Sequence, residues 1–112
     1  MSIQLSVHNG VGTATMNRPE SLNSITAKVL TEWAAGIQEL ADTPEVKVIV
    51  LTGAGQAFSA GLDLKTPFDA GDKMPWSNET NPANRLSKAL SYGTEFIGTL
   101  ARVSQPTIAA VN

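Results

Sequence analysis

Cysteine is absent from the 112 residues, so neither a disulfide nor a thiolate metal site can form. Histidine occurs once, as His8, with no second metal ligand or nucleophile spaced near it. Positive charge is not in excess. The formal net charge is −2 and the pI about 5.2, which argues against a nucleic-acid-binding surface. No apolar run approaches the length of a membrane span. Residues 1–20 lack a basic segment followed by an apolar one, so no secretory signal is visible, and a soluble cytoplasmic protein is expected. What remains is ordinary for a folded protein, with 42% hydrophobic and 16% charged residues. The length allows at most one small domain.

The most informative stretch runs from Val46 to Lys65. Val46, Val48, Ile49, Val50 and Leu51 read as a strand buried on both faces. Gly53 and Gly55 then permit a tight turn, which Phe58 can anchor to the core. Ser59, Ala60 and Gly61 are small enough for a ligand to lie against the backbone. Leu62-Asp63-Leu64-Lys65 reads as the start of a short helical turn, where free N–H groups can hold an oxyanion.

Around it, the chain alternates strands and helices. Ile3, Leu5 and Val7 alternate with polar residues as in a half-buried strand. Asn9-Gly10 signals a two-residue hairpin, and residues 11–16 return as its partner. His8 reads as a solvated hairpin residue. Asn17-Arg18-Pro19-Glu20-Ser21 breaks the strand, and Arg18 suits either a phosphate contact or an exposed loop charge. Ser24 or Thr26 can cap the next helix, whose residues Val29, Leu30, Trp33, Ala34, Ile37, Leu40 and Ala41 share one face. Residues 66–84 contain three prolines and little periodicity, so they read as a long loop. Phe68, Met74 and Trp76 within it either line a pocket or pin the loop. A second helix is expected from about Asn84, with Leu86, Leu90, Phe96, Ile97, Leu100 and Val103 on its apolar face. Thr107 to Val111 reads as a strand. The order is β-β-α-β-loop-α-β, an α/β chain with neither an interdomain linker nor a clear repeat.

Two partial motifs carry little weight. Gly53-Ala54-Gly55-Gln56-Ala57-Phe58 approaches the dinucleotide fingerprint, but Phe58 stands where close helix–strand packing needs glycine. Ser59-Ala60-Gly61 is half of a nucleophile elbow with Ala57 in place of its first glycine. Ser59 therefore reads as a small packing residue. Asp63 suits an acid–base role or, as the plainer alternative, a carboxylate at a helix N-terminus.

Asn17-Arg18-Pro19-Glu20 with Leu22-Asn23, Leu51-Thr52-Gly53-Ala54-Gly55, the run from Ala57 to Lys65, and Pro106 to Asn112 follow in an order that closely resembles the crotonase family. This is the enoyl-CoA hydratase/isomerase superfamily. The resemblance covers essentially the whole chain. It implies a crotonase-like ββα superhelix, with residues 1–112 as the N-terminal part of a single domain. It implies an acyl-CoA thioester as substrate and small-molecule partner, enolate stabilisation by two backbone N–H groups, and no metal or further cofactor. Hydration or isomerisation of an enoyl-CoA is the simplest such reaction. The resemblance places one N–H donor on Leu62. Ala60, Asp63 and Leu64 fall where the family's backbone meets the adenine, and Arg18 and Lys65 where basic groups meet phosphates. The second donor and the glutamate pair of hydratases are expected after Asn112, so the isolated chain is expected to be incomplete and inactive. Assembly as a trimer or hexamer is also implied. Two other readings stand beside this one, a non-catalytic CoA-binding or assembly module and a dinucleotide-binding fragment.

Overall fold

The computed structural model describes residues 2–63 and 80–112, apart from the side chains at 85, 86 and 89. Strands β1 (Ile3–His8) and β2 (Val11–Met16) form an antiparallel hairpin. Its turn residues Asn9 and Gly10 have φ of 48° and 81°, the pairing that matches the natural twist of two strands. Helix α1 (Ala27–Ala41) crosses to β3 (Val48–Gly53), and helix α2 (Pro82–Arg102) precedes β4 (Thr107–Ala110). The four strands make one sheet in the order β1-β2-β3-β4. β3 runs parallel to both β2 and β4.

The apolar period of α1 determines where the helix packs. Thr26 caps it, its Oγ1 accepting from the Val29 N–H at 3.2 Å. Val29, Trp33, Ile37 and Leu40 are buried against Ile3, Ala14, Met16, Val46, Ile49 and Leu51. Every second residue of β2 and β3 faces this core. The expectation of a β3 buried on both faces is not met among the described residues. Val48, Val50 and Thr52, on the side away from α1, are only half-buried. β3 also starts two residues later than expected, because the Val46 N–H closes a turn onto the Thr43 carbonyl at 3.0 Å.

Helix α2 starts earlier than expected. Pro82 has no N–H to lose in a first turn, and the Asn81 Oδ1 accepts from the Ala83 N–H at 3.0 Å. Its apolar residues form two stripes rather than one. Phe96, Leu100 and Val103 pack on the core. Leu90 and Ile97, one heptad apart and turned about a quarter of the way round, are 60% and 66% exposed. The long-loop expectation lies outside the described residues through residue 79, as do Phe68, Met74 and Trp76.

Candidate functional site

The site is built where two irregular segments, residues 17–25 and 53–63, are laced together. The first leaves β2 through a 3₁₀ turn at Pro19–Ser21. Leu22 and Asn23 then both adopt φ of 53°. Consecutive left-handed non-glycine residues are rare, because Cβ crowds the following carbonyl. Asn23 is what holds them there. Its side chain is 1% exposed. Its Oδ1 accepts from the Arg18 N–H at 2.8 Å. Its Nδ2 donates to the carbonyls of Ala54 and Ala57 at 2.9 and 2.8 Å.

The second segment begins at the end of β3. A Cβ on Gly53 would stand 2.6 Å from the carbonyl oxygens of both Ala57 and Phe58, so no side chain fits. The Asn112 Nδ2 donates to the carbonyls of Gly53 and Gly55 at 3.0 and 2.8 Å. Phe58 tucks its ring toward Trp33, with centroids 5.9 Å apart, and so anchors the turn as expected. The Ser59 hydroxyl donates to the Asn23 carbonyl at 2.8 Å and accepts from the Gly61 N–H at 3.0 Å. Ser59 is thus a hydrogen-bonding bracket rather than mere packing. With that hydroxyl engaged on both sides, the nucleophile-elbow reading loses its basis.

The two segments then meet in parallel. The Ala60 N–H donates to the Leu22 carbonyl at 2.9 Å, the Ile25 N–H to the Gly61 carbonyl at 2.8 Å, and the Asp63 N–H to the Ile25 carbonyl at 2.8 Å. Ile25 and Leu62 form a parallel β-bridge. The helical turn expected from Leu62 is therefore not what Leu62 and Asp63 form. Both are extended and paired with Ile25, and the rest of that expected turn, Leu64 and Lys65, lies outside the described residues.

That pairing fixes one direction. The Gly61 carbonyl and the Leu62 N–H belong to one peptide unit, which is trans, so they point opposite ways. Because the carbonyl is tied to Ile25, the Leu62 N–H projects away from the 17–25 segment. It has no acceptor among the described residues. Gly61 has φ of 90°, which a side chain would make costly. No described atom lies within 4 Å of where its Cβ would be. An outward-pointing N–H without an acceptor among the described residues is what an oxyanion donor requires.

Four of the site residues expected from the sequence meet here. Leu62 supplies the N–H, with its side chain 51% exposed, and Ala60 is exposed beside it. Arg18 and Asp63 face each other across the bridge. The Arg18 Nη1 donates to the Ser24 carbonyl at 2.6 Å. Its Nη2 lies 3.7 Å from the Asp63 Oδ2, the two side chains being 24% and 12% exposed. The Ser24 Oγ donates to the same Oδ2 at 3.1 Å. Leu64 and Lys65 lie outside the described residues. Asn23, Ser24, the Ser59 hydroxyl and Asn112 were not singled out from sequence as parts of a site. Asn23 carried a usable signal, since asparagine is the side chain that best tolerates the left-handed region.

Elsewhere the described residues offer less chemistry. His8 is an exposed hairpin residue whose Nε2 lies 3.2 Å from the Asn9 Nδ2. A groove of about 350 Å³ between α1 and α2, lined by Leu30, Thr31, Tyr92 and Glu95 among others, does not reach the laced segments. The segment after β3 opens no helix through residue 63. That removes the structural context a dinucleotide fingerprint needs.

Comparison with known proteins gives a consistent picture. The sequence profile of the family described as enoyl-CoA hydratase/isomerase matches residues 6–112. A probable enoyl-CoA hydratase of Mycobacterium bovis is 36% identical over 104 residues, covering 90% of this chain and 34% of the relative. A 4-chlorobenzoyl coenzyme A dehalogenase of an Arthrobacter species is 38% identical over 104 residues, covering 93% of this chain and 35% of the relative. The crystal structure of an enoyl-CoA hydratase/isomerase from Xanthobacter autotrophicus Py2 matches with a TM-score of 0.83 at 28% identity, covering 100% of this chain and 39% of that one. The chain thus spans about a third of the length of these curated relatives.

Proposed function

The chain belongs to the enoyl-CoA hydratase/isomerase family, and from that premise we propose that it supplies the thioester-binding part of a crotonase-type active site. The observation that carries this is the Leu62 N–H, turned away from the 17–25 segment by the Ile25 pairing and without an acceptor among the described residues. A thioester carbonyl placed there gains negative charge when the acyl-CoA enolises. A fixed donor stabilises that charge more than it stabilises the neutral carbonyl, which lowers the barrier. In this reading Ala60, Asp63 and Leu64 offer backbone to the adenine, and Lys65 and the exposed edge of Arg18 meet the phosphates. A second N–H and the acid–base carboxylates come from sequence outside residues 1–112, and coenzyme A enters only as part of the substrate.

The relatives named above include a hydratase and a dehalogenase, and polarising the thioester oxygen is a step both chemistries can share. Hydration or isomerisation of an enoyl-CoA is the reaction we propose. Self-association into a trimer or hexamer belongs to the same reading, supported by the exposed Leu90, Ile97, Ile108 and Val111. No described helix is long and apolar enough to cross a membrane; a cytoplasmic location belongs to the same proposal.

Isothermal titration of the chain with acetyl-CoA, CoA and NAD tests the reading. The expected result is binding of acetyl-CoA in preference to CoA, with no binding of NAD. Equal binding of CoA and acetyl-CoA would assign a CoA-binding module without an oxyanion donor. Binding of NAD alone would overturn the proposal.

A further inference from the structure

Leu62 points its N–H outward only while the peptide before it stays paired to Ile25. That pairing consists of two backbone hydrogen bonds, and segments with few partners of this kind open readily. The side chains on either side therefore matter. Before the bridge, Ser59 and Asn23 hold the chain by neutral hydrogen bonds. After it, a charged side chain takes over. Asp63 receives the Ser24 hydroxyl at 3.1 Å and faces the Arg18 guanidinium at 3.7 Å, and that guanidinium is anchored on the Ser24 carbonyl at 2.6 Å.

We infer that Ser24 and Asp63, with Arg18 as counter-charge, form a positioning device that fixes the direction of the Leu62 N–H without touching the thioester. The cluster spans the bridge from both strands. Ser24 immediately precedes Ile25 and Asp63 immediately follows Leu62, so tying those two side chains together clamps the bridged pair. The Asp63 side chain is 12% exposed, and a charge-assisted hydrogen bond in so shielded a place is stronger than a neutral or exposed one. The carboxylate takes no part in proton transfer here; its role is mechanical and electrostatic. Arg18 links the same cluster to the start of the 17–25 segment, so the loop carrying Asn23 and the loop carrying Leu62 move as one unit.

This inference rests on the acyl-CoA reading, and the test separates the two. Affinities for CoA and acetyl-CoA are measured by titration for the parent chain, Asp63→Ala, Asp63→Asn and Ser24→Ala. Arg18 is left unchanged, since its side chain also faces the proposed phosphate site, whereas Asp63 is proposed to meet the adenine only through its backbone, which these variants keep. CoA has the nucleotide and pantetheine but no thioester carbonyl, so it reports everything except the oxyanion contact. Asp63→Ala is expected to lower the preference for acetyl-CoA over CoA by about tenfold, the loss of one well-aligned hydrogen bond. Asp63→Asn, which still accepts from Ser24, is expected to lose less. Ser24→Ala is expected to fall between the parent and Asp63→Ala. In ligand-free protein, the Leu62 N–H residual dipolar coupling is expected to change in Asp63→Ala, which separates positioning from substrate contact. An unchanged preference and an unchanged coupling in Asp63→Ala would overturn the inference and leave the acyl-CoA reading intact. Equal losses of CoA and acetyl-CoA affinity would also overturn it, by showing general disruption. A parent chain that binds neither ligand would remove the acyl-CoA reading, and the inference with it.

Discussion

The sheet-and-helix core and the laced segments 17–25 and 53–63 are held together by different physics. In the core, Ile3, Ala14, Met16, Val29, Ile37, Leu40 and Ile49 are all at most 3% exposed and touch one another. Burial of that kind is non-directional and depends on volume. In the laced segments the joints are directional. Side chains of Asn23, Ser59 and Asn112 hold main-chain groups, and the backbone visits left-handed conformations at Leu22, Asn23 and Gly61. The core sets whether the chain folds, and the joints set which way one N–H points. Function in this molecule depends on the second kind of interaction resting on the first.

The comparison is sharpest where a variant should damage one region and spare the other. The largest expected effect is Ile37→Ala. Its side chain is fully buried at 0% exposure, and truncation should cost about 2–5 kcal/mol of stability, measured by urea denaturation. The folded fraction should keep its preference for acetyl-CoA over CoA. A lost preference at full folding would show that the core also aims the donor.

Asn23→Ala comes next. It leaves the Arg18 N–H and the carbonyls of Ala54 and Ala57 without their partner. The expected loss is about 1–3 kcal/mol in the same denaturation experiment, together with loss of the acetyl-CoA preference. Stability loss without a change in preference would show that the joint does not aim the donor.

Gly61→Ala should be milder in stability and still clear in binding. A φ of 90° strains a side chain by about 1–2 kcal/mol. The added methyl would also occupy the open space beside the Leu62 N–H. Acetyl-CoA affinity should fall, and the melting transition should drop by several degrees, less than for Asn23→Ala. Leu90→Ser is expected to do least. Its side chain is 60% exposed, and a surface change of this sort stays within about 0.5 kcal/mol. Weaker self-association, read by analytical ultracentrifugation, is its only expected consequence.

The same contrast explains what was legible in the sequence. The apolar period of α1, the Asn9-Gly10 hairpin and the β-branched run of β3 are local patterns, and each element formed within a few residues of its expected place. The structure departs from the local reading where a distant partner overrides it. Leu62 and Asp63 read locally as the opening of a helical turn, but both are extended, because Ile25, far away in sequence, pairs with Leu62 in a bridge. Leu90 and Ile97 sit at apolar spacing, but only the stripe through Phe96, Leu100 and Val103 meets the core. Asn23 and Ser59 each satisfy groups whose positions depend on the other loop, and no window of sequence contains both partners. Arg18 read as a phosphate contact or loop charge and Asp63 as an acid–base group or a carboxylate at a helix N-terminus; only the fold brings them face to face.

The central claim is that the Leu62 N–H is the donor this chain contributes to an acyl-CoA thioester. Replacing the Gly61–Leu62 amide by an ester through semisynthesis removes that N–H with little change in shape. Affinities of the ester and parent proteins for acetyl-CoA and CoA are then compared by titration. The account predicts that CoA affinity stays near the parent value while acetyl-CoA affinity falls about tenfold, erasing the preference for the thioester. An ester protein that still prefers acetyl-CoA as strongly as the parent would contradict it.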